Sequence, residues 1–287
     1  MVIDFRVQPP YGSFERLHFY RPRAPVEDPD RDNPFAALRG PNTSFEQRSL
    51  PAFLHELDLA GVERAVVVGQ RAGQRWGSAD NDDIVALVEE HPERFLGIAG
   101  IDPRSPDALE ELHRCVEDLG CIGVALVNGW SDPPLRDHDD EVLPIYAACE
   151  RLGVLALVTS SHYIGPDLGH ARPEHLARVA ARFPDLLLVV SHACWPRTTE
   201  AVALAMRHTN VYLMPDFYLY ARGMPGARDY VDAANSFLQR RMLFSSCYPT
   251  FTVAEALAGV EALPLTREAR ADLLSGNAQR LLARVRG

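Results

Sequence analysis

The sequence predicts an α/β fold, a single-domain (β/α)8 (TIM) barrel, from three observations. Eight short apolar runs rich in Val, Leu and Ile recur along the 287 residues. Helix-period segments separate these runs, which is the pattern of βαβ units and a parallel sheet. The chain also has a length that parallel barrels reach as one domain. An open doubly wound sheet would produce the same local pattern, so the periodicity favours the barrel and leaves that alternative open.

The apolar runs and the segments between them locate each predicted element. The predicted strands span residues 2–7, 64–68, 95–101, 122–127, 154–158, 186–191, 211–214 and 242–245. The first helix is predicted to begin at a capping box, Thr43-x-x-Glu46, and to carry Phe53, Leu54 and Leu57. Further helical patterns cover residues 79–90, 105–120, 139–152, 173–183, 197–208, 228–239, 252–262 and 266–284.

Residues 9–42 interrupt this alternation. The segment is rich in Pro, Arg and Asp and shows little periodicity. Loops of this length inside a compact domain are usually lids or binding loops. We therefore expect residues 9–42 to form a long loop or lid after the first strand of a domain that spans residues 1–287.

Composition and charge exclude several classes of function. A net charge of −10 without a basic stripe argues against a nucleic-acid partner. No apolar run approaches the length of a membrane span, about 18 residues. All 29 cationic side chains are Arg, which excludes Schiff-base chemistry and lysine-bound pyridoxal phosphate. Five cysteines without a C-x-x-C pair favour a reducing compartment, so we expect a cytoplasmic protein.

The predicted strand ends supply a candidate site. In a barrel, the active site lies at the C-terminal ends of the strands. Polar, aromatic and charged side chains stand there, as a small-molecule pocket requires. These candidates are Arg6, Gln8, Asn128, Trp130, Thr159, His162, His192, Trp195, Asp216, Tyr218 and Cys247.

Five segments follow, in the same order, motifs of a known family. They are IDFRVQP (3–9), FLGIA (95–99) before Asp102-Pro103, Gly123-Val124, FPDL (183–186) before Ser191-His192, and MLFSSCYP (242–249). The chain thereby resembles the amidohydrolase-related family, whose barrels include small aromatic-acid decarboxylases and lactone hydrolases.

The resemblance implies five positions around a divalent metal: two on strand 1 and one at the end of strands 5, 6 and 8. In this sequence they are Arg6, Gln8, Thr159, His192 and Cys247, so only the histidine of strand 6 is retained. Arg carries donors only, and a Cys–His pair falls short of the three protein ligands of a catalytic zinc site. We therefore expect no metal or other cofactor. The alternative is a divalent metal such as zinc, held if His162 joins His192 and Cys247.

Arg6 has two open interpretations. It forms a structural ion pair with Asp102 or Asp216, or its guanidinium takes the place of the lost metal and binds a substrate carboxylate. Together with Arg6, the side chains expected to bind substrate are Gln8, Asn128, Trp130, Thr159, Asp216 and Tyr218.

The predicted catalytic residues are His192, Cys247 and His162. Cys247 and His192 form a nucleophilic pair, or Cys247 is only a small buried filler. His162 could act as a general acid or base. Trp130 and Trp195 are candidate walls for an aromatic substrate, or they belong to the packing of the barrel.

These features predict a metal-independent enzyme acting on a small carboxylated cyclic or aromatic molecule. Hydrolysis of an ester, lactone or amide and a lyase step such as decarboxylation both remain open. Two alternatives are a catalytically silent barrel that binds a ligand or partner, and a metal-dependent hydrolase with an atypical site. The resemblance also implies a homodimer, whereas the charge and the lack of a long apolar run predict neither a nucleic-acid nor a membrane partner.

Overall fold

The computed structural model describes residues 1–21 and 40–286, in which seven parallel strands form one sheet. Each strand pairs with the next one along the chain, in the order β1-β2-β3-β4-β5-β6-β7. The strands are β1 (Val2–Val7), β2 (Val62–Val68), β3 (Phe95–Gly100), β4 (Gly123–Leu126), β5 (Leu155–Thr159), β6 (Leu187–Ser191) and β7 (Val211–Met214).

The eighth predicted strand is an extended segment that closes the barrel with fewer bonds than a full strand. Met242 bridges to Leu213 of β7, and Tyr248 bridges to Val7 of β1. The Leu243 N–H donates to the Leu213 carbonyl at 2.9 Å, and the Phe5 N–H donates to the carbonyl of Phe244 at 3.0 Å. Residues 242–248, called the closing segment below, therefore lie between β7 and β1. The (β/α)8 barrel is confirmed, with seven regular strands instead of eight.

Helices follow the strands on the outside of the sheet. They are α1 (Thr43–Glu46), α2 (Leu50–Leu59), α3 (Asn81–Glu90), α4 (Ala108–His113), α5 (Leu143–Leu152), α6 (Pro173–Arg182), α7 (Thr198–Arg207), α8 (Phe217–Tyr220), α9 (Ala227–Ala234), α10 (Val253–Glu261), α11 (Arg267–Ala271) and α12 (Asn277–Leu282). None of the described helices is long and apolar enough to cross a bilayer.

The first predicted helix is two helices, and its predicted capping box is wrong. Asn42, one residue earlier, is the N-cap of α1, and its side chain accepts from the Phe45 N–H. Ser49 then caps α2 in the same way by accepting from the Ala52 N–H. Within the described residues, Thr252 and Glu255 form a capping box at the start of α10.

The apolar side chains of the strands divide into two sets because successive residues point to opposite faces. One set, which includes Phe5, Leu157, Val189 and Met214, packs within the barrel. The other set packs beneath the helices, as Val190 does. This alternation leaves polar residues to continue the strands at one end of the barrel.

The loop after β1 is described in part. Residues 12–16 form a short 3-10 helix, and the Tyr20 hydroxyl donates to the Gln8 carbonyl at 2.8 Å. Arg21 donates to the carbonyls of Gln74 and Arg75 beyond β2. Residues 22–39 of the predicted lid lie outside the described residues, so the lid stays a prediction.

Candidate active site

Arg6 and Cys247 meet where β1 ends beside the closing segment. The Nη1 atom of Arg6 donates to Cys247 Sγ at 2.7 Å, and both residues are buried. The Ser245 hydroxyl donates to the Arg6 carbonyl at 3.3 Å and accepts from the Cys247 N–H at 3.0 Å. The hydroxyl therefore ties together the backbones that carry the guanidinium and the thiol.

Asp216 and His192 meet one strand further round the barrel. Asp216 Oδ2 accepts from the Ser191 hydroxyl at 2.8 Å and from the His192 N–H at 2.9 Å. The same oxygen lies 2.8 Å from His192 Nδ1. His192 Nδ1 and Asp216 Oδ2 thus form an ion pair when the imidazole is protonated, whereas Asp216 Oδ1 is buried without a hydrogen-bond partner among the described residues. Buried polar atoms left unpaired in this way need a further partner, such as an ion or a water molecule.

The Arg6–Cys247 pair and the Asp216–His192 pair lie next to each other. Ligand-type atoms of His192, Asp216 and Cys247 lie within 4.8 Å of one another, and all three residues are buried. Each also has a positive φ, of 63°, 55° and 56° respectively. Such backbone costs of order 1–3 kcal/mol for a residue other than glycine, and it concentrates at functional sites. The local backbone is thus held in a strained form that brings three donor side chains together.

Burial and mutual charge set the ionisation of the site. Burial raises the pKa of Asp216, but His192 and Arg6 outweigh it and lower that pKa below its ordinary value. The pKa of His192 is lowered because burial disfavours its cation more than Asp216 supports it. Burial raises the pKa of Cys247 to about 12 even though Arg6 opposes the shift. The Cys247–His192 nucleophilic pair stays a prediction.

An aromatic wall stands beside these donors. Trp195 and Tyr218 stack with ring centroids 4.8 Å apart and planes 13° from parallel. His192 meets the Tyr218 ring edge-on at 5.4 Å, and His162 Nδ1 lies 3.2 Å from the Tyr218 hydroxyl. Burial and His192 lower the pKa of His162 to about 4, so this imidazole is neutral near pH 7. His162 and His192 therefore both contact Tyr218, and the catalytic role of His162 stays a prediction.

Other candidates are engaged elsewhere. Gln8 Nε2 donates to the Val68 carbonyl at 3.2 Å, and Asn128 Nδ2 donates to Asp137 at 2.9 Å. Trp130 stacks on Trp76 at 4.3 Å, so its ring belongs to a second aromatic cluster. Thr159 is buried at the end of β5 and pairs in register with Ser191. The substrate-binding roles of Gln8, Asn128, Trp130 and Thr159 stay predictions.

Asp4 is a site residue that sequence reasoning missed. It is fully buried; Oδ1 accepts from the Ser246 N–H at 3.0 Å and from the Arg6 N–H at 3.3 Å. Its Oδ2 atom is buried without a hydrogen-bond partner among the described residues. Burial raises its pKa to about 7. The only available signal was an acidic residue inside an otherwise apolar strand.

Comparison with known proteins agrees with this geometry. The family pattern described as amidohydrolase matches residues 3–284. The chain belongs to this amidohydrolase family. Gamma-resorcylate decarboxylase from Polaromonas sp. is 26% identical over 279 residues, covering 83% of this chain and 84% of that enzyme.

Two solved structures share the fold of this chain. A TIM-barrel protein from Bordetella bronchiseptica superposes with a TM-score of 0.90 at 36% identity and covers 99% of both chains. The dihydroxybenzoic acid decarboxylase from Polaromonas sp., solved with bound manganese, superposes with a TM-score of 0.62 at 19% identity. It covers 86% of this chain and 92% of its own.

The expectation of no cofactor is wrong. It counted only His192 and Cys247 at the metal positions and judged two ligands too few. The structure adds Asp216, which follows β7, as a third metal-type donor, and the related decarboxylase holds manganese. Three protein donors are the number by which a catalytic zinc site holds its ion. The sequence analysis missed Asp216 as a metal ligand because it follows strand 7. In the family, the corresponding carboxylate comes from the end of strand 8.

Proposed function

We propose that this amidohydrolase-family chain is a decarboxylase of a small aromatic acid, assisted by a divalent cation. The observation that carries the proposal is the buried guanidinium of Arg6 next to three metal-type donors and an aromatic wall. The relatives named gamma-resorcylate decarboxylase and dihydroxybenzoic acid decarboxylase support this choice over hydrolysis.

Arg6 binds the substrate carboxylate in this proposal. Its neighbours Cys247 and Asp216 outweigh the cost of burial and raise its pKa, so that the group stays charged. Nη1 is engaged by Cys247, whereas Nε is buried without a hydrogen-bond partner among the described residues. A guanidinium with free donors in a buried site suits a carboxylate, which can accept two parallel hydrogen bonds.

The stacked pair of Trp195 and Tyr218 orients the aromatic ring of the substrate. Offset or edge contacts between rings contribute about 0.5–1.5 kcal/mol beyond the area they bury. Because the Tyr218 ring also touches His192, a substrate ring on this wall would lie beside the donors of the cation.

His192, Asp216 and Cys247 are the residues that would hold the cation. When bound there, a divalent ion would polarise a substrate oxygen as a Lewis acid. The remaining chemistry belongs to the side chains, which position the carboxylate and move one proton.

The reaction replaces a carboxylate with hydrogen. The bond between the ring carbon and the carboxyl carbon breaks, CO2 leaves, and the electron pair that stays on the ring carbon takes up a proton. We assign the movement of that proton to His162. Its neutral imidazole, 3.2 Å from the Tyr218 hydroxyl, can accept a proton at one nitrogen and donate one from the other.

The test is CO2 release from a panel of hydroxybenzoates, including 2,6-dihydroxybenzoate, by protein loaded with zinc or manganese. Arg6→Met should lower kcat/KM by roughly 30-fold or more, because losing one partner of a buried charge pair costs about 2 kcal/mol or more. Arg207→Met is the control, since Arg207 is exposed at the C-terminal end of α7.

Absence of CO2 release from every carboxylated aromatic, or equal rates for Arg6→Met and the unaltered protein, would contradict the proposal. Saturable binding of the same acids without turnover would contradict it as well, and would favour a silent, ligand-binding barrel. Circular dichroism spectra of each variant establish that a lost rate is not lost folding.

A further inference from the structure

The donor set of this site is unusual in joining one nitrogen, one carboxylate and one sulfur. His192 follows β6, Asp216 follows β7, and Cys247 lies in the closing segment, so the three donors come from three neighbouring positions round the barrel. His192 Nδ1 and Asp216 Oδ2 are 2.8 Å apart and form an ion pair when the imidazole is protonated, whereas Asp216 Oδ1 is buried without a hydrogen-bond partner among the residues described. Ligand atoms of all three residues lie within 4.8 Å of one another, close enough to bind one ion.

The sulfur decides which ion such a site prefers. Thiolates are soft ligands that select zinc, whereas carboxylate, carbonyl and water oxygens suit manganese and magnesium. Catalytic zinc sites hold the ion with three protein ligands and keep one position open. His192, Asp216 and Cys247 supply three ligands of a suitable kind.

Charge supports the same assignment. The Cys247 thiolate and the Asp216 carboxylate together offset the two charges of a divalent ion. Arg6 then remains as the neighbouring positive group, and its donation to Cys247 Sγ at 2.7 Å becomes an outer contact to a metal-bound sulfur. Outer contacts of this kind orient a ligand and tune its metal.

We propose that Cys247 makes this a zinc-selective site that discriminates against manganese, with Asp216 of strand 7 as its carboxylate ligand. The inference rests on the cation of the proposed function but concerns binding alone. It assigns the choice of ion to one side chain, which differs from the acidic residue that the family carries at this position.

The experiment uses cobalt as a spectroscopic probe on the full chain stripped of metal with a chelator. Cobalt bound through a thiolate gives a near-ultraviolet charge-transfer band that oxygen and nitrogen ligands do not give. We expect this band on titration, its loss when one equivalent of zinc is added, and its persistence in excess manganese. Cys247→Ser should abolish the band and weaken zinc binding by roughly 100-fold or more, because loss of even an outer partner costs 10–100-fold.

Two further variants sharpen the assignment. Cys247→Asp should bind manganese more tightly than the unaltered chain and show no charge-transfer band. Cys149→Ala is the matched control, because this cysteine is buried in α5 beneath the sheet and should leave the band intact.

An absent band, a band that survives Cys247→Ser, or displacement of cobalt by manganese as readily as by zinc would each overturn the inference. Thermal melts of Cys247→Ser and Cys149→Ala show whether both variants are folded. The cobalt titration measures binding and not turnover. Zinc selectivity can therefore hold even if the chain decarboxylates nothing, and decarboxylation can be found even if the site does not select zinc.

Discussion

At the scale of single residues, the site is a set of buried charges that compensate one another. Arg6 contacts Cys247 directly, and the charges of Asp216 and Asp4 act on it as well. Asp4 is the member least compensated, since burial dominates its ionisation and one of its oxygens has no described hydrogen-bond partner. We therefore expect ionisation of Asp4 to lower the free energy of unfolding.

Asp4→Asn tests this reasoning. The pKa of Asp4 is about 7 in the folded chain, against about 3.9 for an exposed carboxyl. A raised carboxyl pKa means that the folded state holds the proton more tightly, so the associated stability is present below about pH 4 and is lost as pH rises toward 7. Asn does not titrate, and its amide oxygen can still accept from the Ser246 and Arg6 N–H groups.

The free energy of unfolding of Asp4→Asn, relative to the unaltered chain, should therefore increase between pH 4 and pH 8, by at most about 4 kcal/mol. Urea denaturation in chelator at several pH values measures it. Asp118→Asn, at an exposed position, controls for the change in net charge. A difference that stays constant across this range would show that Asp4 is compensated by groups other than those described.

Residue type and spacing were enough to select Arg6 and Cys247, which are in contact, and Tyr218, which contacts His162 and His192. They were not enough to find the third donor. Asp216 was grouped with substrate-binding residues because the family carries its acid on strand 8. The convergence of strands 6, 7 and 8 depends on positive φ angles at His192, Asp216 and Cys247. A sequence with His, Asp and Cys at these three positions does not predict that their φ angles are positive.

At the scale of elements, strand patterns were more informative than helix starts. The bounds predicted for β1 and β7 match the structure, because a run of apolar residues between polar ones leaves little choice. The start of a helix depends on which of several neighbouring polar side chains accepts a hydrogen bond from a backbone N–H of the first turn. Asn42 and Thr43 both suit an N-cap, and the structure selects Asn42, which also donates to the Pro249 carbonyl at 3.2 Å.

Asn42→Ala and Thr43→Ala form a matched pair that tests this cap. Replacing a capping residue by Ala costs about 1 kcal/mol, so Asn42→Ala should lower the free energy of unfolding by at least that amount. Thr43→Ala should change it by less than about 0.5 kcal/mol, as surface substitutions usually do. Chemical denaturation of the two variants decides the matter, and a larger loss for Thr43→Ala would restore the capping box predicted from the sequence.

At the scale of the whole molecule, the closing segment connects barrel closure to the site. Residues 242–248 hold β7 and β1 together with few backbone bonds, and the same segment carries Cys247. A ligand that joins Cys247 to His192 and Asp216 therefore links the closing segment to β6 and β7. We expect metal binding to stabilise the barrel as a whole, since the unfolded chain cannot gather three donors that are far apart in sequence.

The melting temperature should consequently rise when zinc is added to chelator-treated protein. A ligand at about 1,000 times its Kd stabilises the folded state by about 4 kcal/mol. For a chain of this size, that corresponds to an increase of roughly 8 °C, at about 2 °C per kcal/mol. Cys247→Ser should lose most of the increase because one link between the closing segment and the neighbouring strand ends is gone. Differential scanning fluorimetry with zinc and with manganese measures the effect. An equal rise for the unaltered protein and Cys247→Ser would mean that zinc stabilises the fold from some other place, and the barrel would then close independently of its site.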